Sequence, residues 1–295
     1  TTEALQLRHR ILQNFEDALN ITDPVTLQRL MNVVVVGGGP TGVELSGALA
    51  DMKRFVLPKD YPELDFAKMN IYLLEGSPKT LGVMSEKSSE QSEKYLKRLG
   101  VTVKTNTLIE DYDGKTARMK DGSILESATL IWAAGIKGNV PEGIDPALVV
   151  RGNRIKVDRQ CKIEGLENVY AIGDVAYMEE PAYPKGHPQV APVAMQMADL
   201  LVNNLTRLQM KSGKQHIKEF EYYDKGSMAT VGRNLAVVDV PKPKLHFGGL
   251  IAWFIWMFLH LMLILGVKNR FFVFMNWVYN YFTRDQNLRL IMKHK

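Results

Sequence analysis

Residues 32–44 read NVVVVGGGPTGVE, in which four consecutive valines lead into three glycines and a fourth glycine follows at Gly42. A β-branched run of this length is typical of a strand that is buried on both faces of a parallel sheet. The pattern predicts that this strand ends at Gly37 and that a helix covers residues 41–57. A strand, a glycine-rich turn and a helix in this order favour an α/β fold.

The glycine spacing, Gly37-x-Gly39-x-x-Gly42, is the pattern of a dinucleotide-binding turn. The first glycine permits the tight bend, the second lets the backbone approach a pyrophosphate, and the third lets the helix pack closely with its N-terminus towards the phosphates. Pro40 and Thr41 lie in the same turn. A glycine-rich turn without a ligand is the alternative, but the flanking strand and helix favour a bound dinucleotide.

The next predicted strand, residues 70–74, ends in Glu75. A carboxylate at this place accepts hydrogen bonds from a ribose 2′-hydroxyl and repels a 2′-phosphate, so Glu75 predicts NAD rather than NADP. The 33 residues from Gly42 to Glu75 exceed the usual ~20. A predicted surface insertion at 58–65 accounts for most of the excess. A solvated acid at a strand end is the alternative interpretation.

Three further residues near the turn are candidate cofactor contacts. Glu44 lies in the first helical turn, where an acid either stabilises the helix dipole or contacts the nicotinamide end of the cofactor. Ala134 and Gly135 follow an apolar strand predicted at 128–132. Small residues there suit either the close passage of a ligand or tight packing.

Composition excludes several classes of protein. The 295 residues are 46% hydrophobic and 23% charged, which is typical of a globular chain and excludes a disordered or collagen-like one. Cys161 is the single cysteine, so residues 1–295 hold no intrachain disulfide, no CxxC redox pair and no cysteine zinc cluster. Residues 1–20 are charged and amphipathic, unlike a secretory signal.

Positive charge is concentrated in the C-terminal tail. Residues 241–295 carry eight Lys or Arg and one Asp, within a chain whose net charge is +5. The tail also holds the longest apolar run, residues 247–267, which is long enough to span a bilayer as a helix. A second stretch at 271–282 is rich in Trp, Tyr and Asn, which suits the membrane interface. We therefore expect interfacial helices rather than a span or a buried dimer helix, and no nucleic acid partner.

A second candidate site lies in the later part of the chain. Residues 169–176 read VYAIGDVA and predict a strand over 169–172 that ends in Gly173 and Asp174. An acid at the carboxyl end of a parallel strand can bind a polyol hydroxyl, although Asp after Gly is also common in turns. A helix is predicted over 190–210.

Together these motifs resemble one family. GGGPTGVE, WAAG at 132–135, YAIGD at 170–174, KGSMATVGRN at 225–234 and AWFIWMFLHL at 252–261 are similar to motifs of the two-dinucleotide-binding flavoproteins. The likeness is strongest to type II, non-proton-pumping NADH:quinone oxidoreductases, and it covers essentially the whole chain. It implies hydride transfer from NADH to FAD, and then two-electron transfer to a membrane quinone, without proton pumping.

The resemblance also implies a domain arrangement. Residues 31–138 match a Rossmann-like NADH-binding domain inserted into a split FAD-binding domain, to which residues 1–30 and 139–240 belong. Residues 241–295 match amphipathic membrane-anchoring helices. The family opens with a separate glycine fingerprint for FAD, whereas only one fingerprint occurs here. We therefore expect a C-terminal fragment with an incomplete FAD-binding domain.

The second group of site residues is implied by position within the family's motifs. The segment HPQVAPVAMQMA, residues 187–198, matches a helix start beneath the isoalloxazine ring. The implied FAD contacts are Gly173, Asp174, Val190, Ala191 and Lys225. Pro192 and Gln196 match the quinone contacts, and Pro192 replaces a glutamine that is common in the family.

Two other functions remain open on the residues alone. One is a soluble FAD- and NAD-dependent disulfide or ferredoxin-type reductase, against which the apolar basic tail argues. The other is a non-catalytic, membrane-associated NAD-binding module. The resemblance favours an enzyme that is peripheral to or anchored on the cytoplasmic face of the inner membrane. Its partners would be NADH, a membrane quinone, a lipid surface and a second copy bound through the C-terminal helices.

Overall fold

The computed structural model describes residues 2–209 and 217–283. Contacts divide the chain into unit 1, residues 1–134 and 226–295, and unit 2, residues 135–225. The helices are α1 (Thr2–Ala18), α2 (Pro24–Met31), α3 (Pro40–Phe55), α4 (Leu57–Asp60), α5 (Glu86–Arg98), α6 (Ala191–Gln209), α7 (Gly249–Leu263) and α8 (Val267–Thr283). The strands are β1 (Val33–Val36), β2 (Ile71–Leu74), β3 (Val101–Lys104), β4 (Ile109–Tyr112), β5 (Thr116–Met119), β6 (Ile124–Glu126), β7 (Thr129–Trp132), β8 (Val149–Val150), β9 (Arg154–Lys156), β10 (Ala176–Tyr177), β11 (Ser227–Gly232), β12 (Leu235–Val240) and β13 (Leu245–Gly248).

A four-stranded parallel sheet forms the centre of unit 1 and confirms the predicted α/β fold. Its order is β3-β2-β1-β7, and Val33 of β1 pairs with Ile71 of β2 and Thr129 of β7. All four valines of β1 are buried. Val33 and Val35 belong to one apolar cluster and Val34 and Val36 to another, because successive side chains point to opposite faces of the sheet.

Two antiparallel sheets complete unit 1. The sheet β4-β5-β6 contributes Met119 and Leu125 to the apolar cluster of Val34. The sheet β11-β12-β13 lies against α3 and α7. Helix α3 is therefore held between the parallel sheet and β11, so the start of that helix, where the glycine turn leads in, is fixed on two sides.

The segment at 58–65 lies mostly on the surface, as the sequence predicted, with one buried residue. It begins within α4, and Tyr61 is fully buried. The ring of Phe15 in α1 lies 5.8 Å from that of Tyr61 and 5.5 Å from that of Phe66. Tilted and edge-on pairs at such distances are favoured by aromatic rings. The segment therefore closes the core of unit 1 around α1 as well as lengthening the chain before Glu75.

The units defined by contacts differ from the domains that the resemblance implies. Residues 1–30 and 226–240 belong to unit 1, because α1 places Phe15 in its core and β11 packs on α3. Residues 139–225 lie in unit 2. The split FAD-binding domain of residues 1–30 and 139–240 thus stays a prediction.

In unit 2, the strand predicted at 169–172 does not form. Tyr170 makes a single isolated bridge to Lys162. The other backbone groups of this segment bond to a turn: the Ile163 amide donates to the Val169 carbonyl, and the Ala171 amide donates to the Cys161 carbonyl. A ladder needs a continuous partner strand, and the described neighbours supply only this turn.

The apolar run at 247–267 is divided in the structure. Its first residues belong to β13, α7 occupies the middle, and the chain turns before α8 begins at Val267. Neither helix of this tail, nor any other in the described part of the chain, combines the length and hydropathy needed to cross a bilayer.

Candidate functional site

The turn after β1 is shaped by the end of β7. Gly37 has a φ of 106°, in the left-handed region that favours glycine. A Cβ there would lie 2.7 Å from the carbonyl carbon and oxygen of Ala133 and from Cα of Ala134. Ala134 is thus placed in tight packing against the turn, and a larger residue at Gly37 would push the turn away from the sheet.

The helix after the turn starts with an accessible N-terminus. A Cβ at Gly42 would lie 1.8 Å from the carbonyl oxygen of Gly37, so only glycine allows this approach of helix to turn. Gly39 is the N-cap of α3; no described atom lies within 4 Å of a Cβ built on it, and no described side chain caps the helix there. Pro40 follows at the first helical position, and Thr41 is exposed. The helix start therefore offers its free amides to an anion.

Glu75 reaches the turn from the end of β2. Its Oε2 accepts a hydrogen bond from the Gly38 amide at 2.5 Å, and its Oε1 accepts one from the Ser77 amide at 2.7 Å. A Cβ at Gly38 would lie 2.9 Å from Oε2, so this contact requires a glycine. Each carboxylate oxygen keeps a second lone pair for a ribose hydroxyl. Gly38 lies outside the G-x-G-x-x-G spacing, which therefore does not predict its role.

Glu44 is used for packing within unit 1. Its Oε1 accepts a hydrogen bond from the Thr230 amide of β11 at 3.1 Å. Three residues further along α3, a Cβ at Gly47 would lie 1.9 Å from the Val231 carbonyl oxygen. Glu44 therefore ties α3 to β11, a role that the spacing of the motif did not indicate. Its contact with the nicotinamide stays a prediction.

The second candidate site lies in unit 2, at the start of α6. Gly173 has a φ of 70° and begins a short 3-10 turn; a Cβ there would lie 3.3 Å from Cβ of Ala194. Asp174 follows with an exposed carboxylate, and its backbone carbonyl accepts a bond from Nε2 of Gln189 at 2.9 Å. The turn thus brings an exposed acid beside the first turns of α6.

Val190, Ala191 and Pro192 mark the beginning of α6. Val190 is 40% exposed and Ala191 is exposed, which leaves this edge of unit 2 free for a planar ligand. Pro192 occupies the second helical position. The first four N–H groups of a helix have no partner within the helix, so a proline there costs no helical hydrogen bond. Gly135, the first residue of unit 2, has a φ of 104°. No described atom lies within 4 Å of a Cβ built on it.

Gln196 has a structural task in unit 2. Its Nε2 donates to the Tyr223 carbonyl at 3.0 Å and its Oε1 accepts from the Tyr223 amide at 2.9 Å. Both ends of the side-chain amide are engaged with one backbone residue, which fastens residues 220–225 to α6. Lys225, at the end of that segment, is exposed. Contact of Gln196 with a quinone stays a prediction.

A polar cluster that the sequence analysis missed lies between α5 and β12. Asp239 accepts hydrogen bonds from Ser85 and Ser88, and His246 Nδ1 lies 3.1 Å from both the Asp239 carboxylate and the Ser88 hydroxyl. Burial would raise the pKa of Asp239, but these hydrogen bonds outweigh it and lower the pKa. Serine and aspartate face the same ring nitrogen, unlike the opposed arrangement of a hydrolase triad. The cluster therefore anchors α5 to the sheet.

Thiol and metal chemistry find no support in the described residues. Cys161 is fully buried, and burial raises the pKa of its thiol to about 12. A thiol in such surroundings is inert. No group of His, Cys, Asp and Glu side chains within residues 2–209 and 217–283 is arranged to hold a metal ion.

Two family models match the chain. The pyridine nucleotide-disulphide oxidoreductase model matches residues 2–198, and the NDH2 C-terminal domain model matches residues 224–285. The second model thus covers β11 to α8, which the structure assembles into one part of unit 1.

Curated relatives include bacterial type II NADH:quinone oxidoreductases. The chain is 34% identical to the type II NADH:quinone oxidoreductase Ndh of Mycobacterium tuberculosis, over 93% of this chain and 59% of that protein. It is 28% identical to the type II NADH:quinone oxidoreductase of Haemophilus influenzae, over 80% of this chain and 55% of that protein. The chain therefore spans less than two thirds of the length of these relatives.

Solved structures match in fold. NDH2 from Plasmodium falciparum in complex with NADH superposes with a TM-score of 0.82 and 20% identity, over 99% of this chain and 73% of that chain. The ferredoxin reductase for the CYP199A2 system of Rhodopseudomonas palustris matches with a TM-score of 0.52 and 18% identity, over 71% of this chain and 47% of that chain.

Proposed function

The chain belongs to the pyridine nucleotide-disulphide oxidoreductase family, and on that premise we propose that the whole protein is a type II NADH:quinone oxidoreductase. It would transfer a hydride from NADH to FAD and then two electrons to a membrane quinone, without pumping protons. The curated relatives support this reaction, and so does the match of the NDH2 C-terminal domain model to residues 224–285.

The observation that carries the proposal is the glycine turn with Glu75 closed on it. The free N-terminal amides of α3 would hold the pyrophosphate, and the open space at Gly39 would let it approach. Glu75 would accept the ribose hydroxyls while its bond to the Gly38 amide keeps the turn in place. These groups bind and orient the adenosine half of NADH, which fixes where its nicotinamide can reach.

The residues of unit 2 fit one side of a flavin site. Asp174 presents an exposed carboxylate for a polyol hydroxyl, and the exposed Val190 and Ala191 leave room for a flat ring. Lys225 is exposed at the end of the segment that Gln196 fastens. Bound FAD would supply the two-electron carrier between nicotinamide and quinone. Pro192 and Gln196 remain the proposed quinone contacts.

The C-terminal helices support a peripheral membrane position. α7 and α8 expose large apolar side chains along much of their length, as sequences of interfacial helices do. The basic residues around them favour an anionic lipid surface. We place the protein on the cytoplasmic face of the inner membrane, with a homodimer through these helices as a further proposal.

A matched pair of glycine variants tests the nucleotide site in the whole protein. Gly39→Ala adds a methyl group into open space beside the turn, where the pyrophosphate would pass. We expect the Kd for NADH to rise about tenfold, or about 1.4 kcal/mol, and NADH-dependent reduction of a short-chain quinone to fall at low NADH. Gly82→Ala is the control, since a Cβ there also meets no described atom within 4 Å.

The assignment would be wrong if Gly39→Ala bound NADH as tightly as Gly82→Ala, because the turn would then have only a structural role. Circular dichroism and the unfolding midpoint of both variants establish that neither change acts through the fold. NADH oxidation that proceeds without any reduction of added quinone would contradict the proposed acceptor and leave the nucleotide site intact.

A further inference from the structure

A deep groove in unit 1 lies between the C-terminal half of α3 and the helix pair α7 and α8. Its volume is about 790 Å³, within the range of about 300–1,000 Å³ that holds drug-sized ligands. Its aromatic and apolar walls come from α7 and α8 on one side and from α3 on the other. The apolar lining residues are Ala48, Met52, Phe55, Val56, Trp253, Phe254, Trp256, Met257, Phe274, Trp277, Val278 and Phe282.

Each of the two charged groups that line the groove already has a partner within unit 1. Asp51 accepts a hydrogen bond from the Arg233 amide at 2.9 Å. The Arg233 guanidinium donates to the Tyr281 carbonyl and lies 4.1 Å from the centre of the Tyr281 ring. Burial raises the pKa of Asp51, and Arg233 and Arg54 oppose that rise. A ligand therefore meets mainly hydrocarbon and ring faces, which favours an apolar chain over a polar metabolite.

The groove is continuous with the most apolar surface of unit 1. Phe254, Phe274 and Phe282 line the groove and are also 50%, 39% and 78% exposed. On the same two helices, Phe258, Leu263 and Phe271 are more than half exposed, and so is Leu265 in the turn between them. An exposed apolar patch of this extent marks an interaction with a lipid or protein surface. A chain that leaves a lipid surface could enter the groove without crossing water.

Charge near the groove favours an anionic lipid. Arg54 is exposed, and its guanidinium lies 5.2 Å from the centre of the Phe55 ring, which lines the groove. Lys268, at the start of α8, is exposed and lies over the Phe272 ring. A phosphate held near Arg54 would place the attached hydrocarbon at the aromatic walls.

We propose that the groove between α3, α7 and α8 binds an acyl chain of an anionic phospholipid, with its phosphate beside Arg54. The inference rests on the membrane association proposed above. The proposed quinone contacts, Pro192 and Gln196, lie in unit 2 and contribute nothing to these walls. The bound lipid would fasten α7 and α8 to α3, which begins at the nucleotide turn.

Tryptophan fluorescence gives a direct readout. Three of the four tryptophans in residues 1–295 line the groove, namely Trp253, Trp256 and Trp277. Trp132→Phe removes the fourth, and any tryptophan elsewhere in the whole protein is replaced by Phe as well. The whole protein in this background, delipidated in detergent, is titrated with phosphatidylglycerol that carries bromines on one acyl chain. We expect quenching that saturates at about one lipid per chain, because a pocket of this volume encloses one such ligand.

Filling the groove should remove this quenching. Ala48 is exposed and lines the groove, so Ala48→Phe places a ring where the acyl chain would lie. We expect apparent affinity for the brominated lipid to fall at least about tenfold. Ala147→Phe lies at an exposed position in unit 2. Its tryptophan fluorescence should be quenched by the brominated lipid to the same extent as that of the parent. Ala48→Leu gives a smaller filling should the first variant fail to fold, and should weaken binding less.

Other outcomes overturn the proposal. Quenching that never saturates, or that is equal in Ala48→Phe and Ala147→Phe, would show general contact with detergent and lipid. Displacement of the brominated lipid by an equimolar isoprenoid quinone would assign the groove to the quinone tail. Loss of quenching as chains dimerise would assign it to a second copy. Vesicle flotation is measured separately, so failure of membrane association is distinguished from an empty groove.

Discussion

Glu75 shows how one carboxylate combines support of a turn with selection of a cofactor. We expect Glu75→Arg to raise the Kd for NADH and to improve the ratio of NADPH to NADH affinity, because a guanidinium pairs with a 2′-phosphate. The loss for NADH includes the hydrogen bonds to the Gly38 and Ser77 amides, so it should exceed about tenfold. Equilibrium titration with both nucleotides measures the ratio.

The control for this prediction is Glu75→Gln, which keeps the shape of the side chain without introducing a positive charge. It should weaken NADH binding and give a smaller gain for NADPH than Glu75→Arg, because it removes the repulsion of a 2′-phosphate without adding a charge that attracts one. An unchanged ratio in Glu75→Arg would mean that Glu75 serves only the turn and that the cofactor preference is decided elsewhere.

Single residues differed in how far the sequence could predict their roles. Gly37, Gly39 and Gly42 follow a spacing whose physical purpose is known. The structure gives Gly37 and Gly42 a steric reason, whereas Gly39 faces open space, as the approach of a pyrophosphate requires. The role of Gly38 is not predictable from the turn alone. Gly38 must lack a side chain because Glu75, 37 residues later, contacts its amide. Gln196 is assigned to the quinone only by its position in the family's motif, and that position carries no information about Tyr223, which engages both ends of its amide. The quinone contact stays a prediction.

At the scale of elements, the contact of α3 with β11 determines how the nucleotide turn is held. Alanine is favoured over glycine inside a helix by about 1 kcal/mol, so Gly47→Ala would stabilise an isolated α3. In unit 1 the new Cβ would lie 1.9 Å from the Val231 carbonyl oxygen, and overpacking costs about 1–3 kcal/mol. We expect the clash to prevail and the free energy of unfolding to fall by up to about 2 kcal/mol, measured by urea denaturation.

Gly82→Ala serves again as the control, since it adds a Cβ in open space and should leave the unfolding midpoint unchanged. A stabilised Gly47→Ala would contradict the close approach of α3 to β11. Such a result would also contradict the hydrogen bond from the Thr230 amide to Glu44, which depends on the same close approach.

Elements with a strong period or composition were predictable, and those that depend on a partner were not. The valines of β1 and the glycine turn before α3 carry their own signals, so the end of β1 and both ends of α3 lie within two residues of the predicted limits. The segment at 169–172 has a strand-like composition and lacks a strand beside it. The apolar run at 247–267 was read as one piece because hydropathy does not indicate where β13 ends and α7 begins.

At the scale of the whole molecule, the domains that the family resemblance implies differ from the units that the contacts define. The resemblance groups residues 1–30 with 139–240 because they match one domain of the family, whereas contacts group residues 1–134 with 226–295. Sequence motifs report which cofactor a segment serves. They do not report which core its apolar side chains complete, as Phe15 beside Tyr61 illustrates.

The tail concentrates positive charge on the part of the molecule that exposes most apolar surface, so binding to vesicles should depend on lipid charge. Each basic residue near an anionic surface contributes about 1 kcal/mol. We expect Lys244→Gln with Lys268→Gln, both at exposed positions, to weaken partition of the whole protein onto anionic vesicles by about 2 kcal/mol, or roughly 30-fold. Flotation at low and high salt measures this partition, and high salt should reduce the difference because it screens surface charge.

Lys87→Gln with Lys94→Gln is the control, because it removes the same charge from exposed positions of α5 and should leave flotation unchanged. Equal losses in the two pairs would mean that net charge alone drives binding, and that α7 and α8 do not form the surface that meets the lipid.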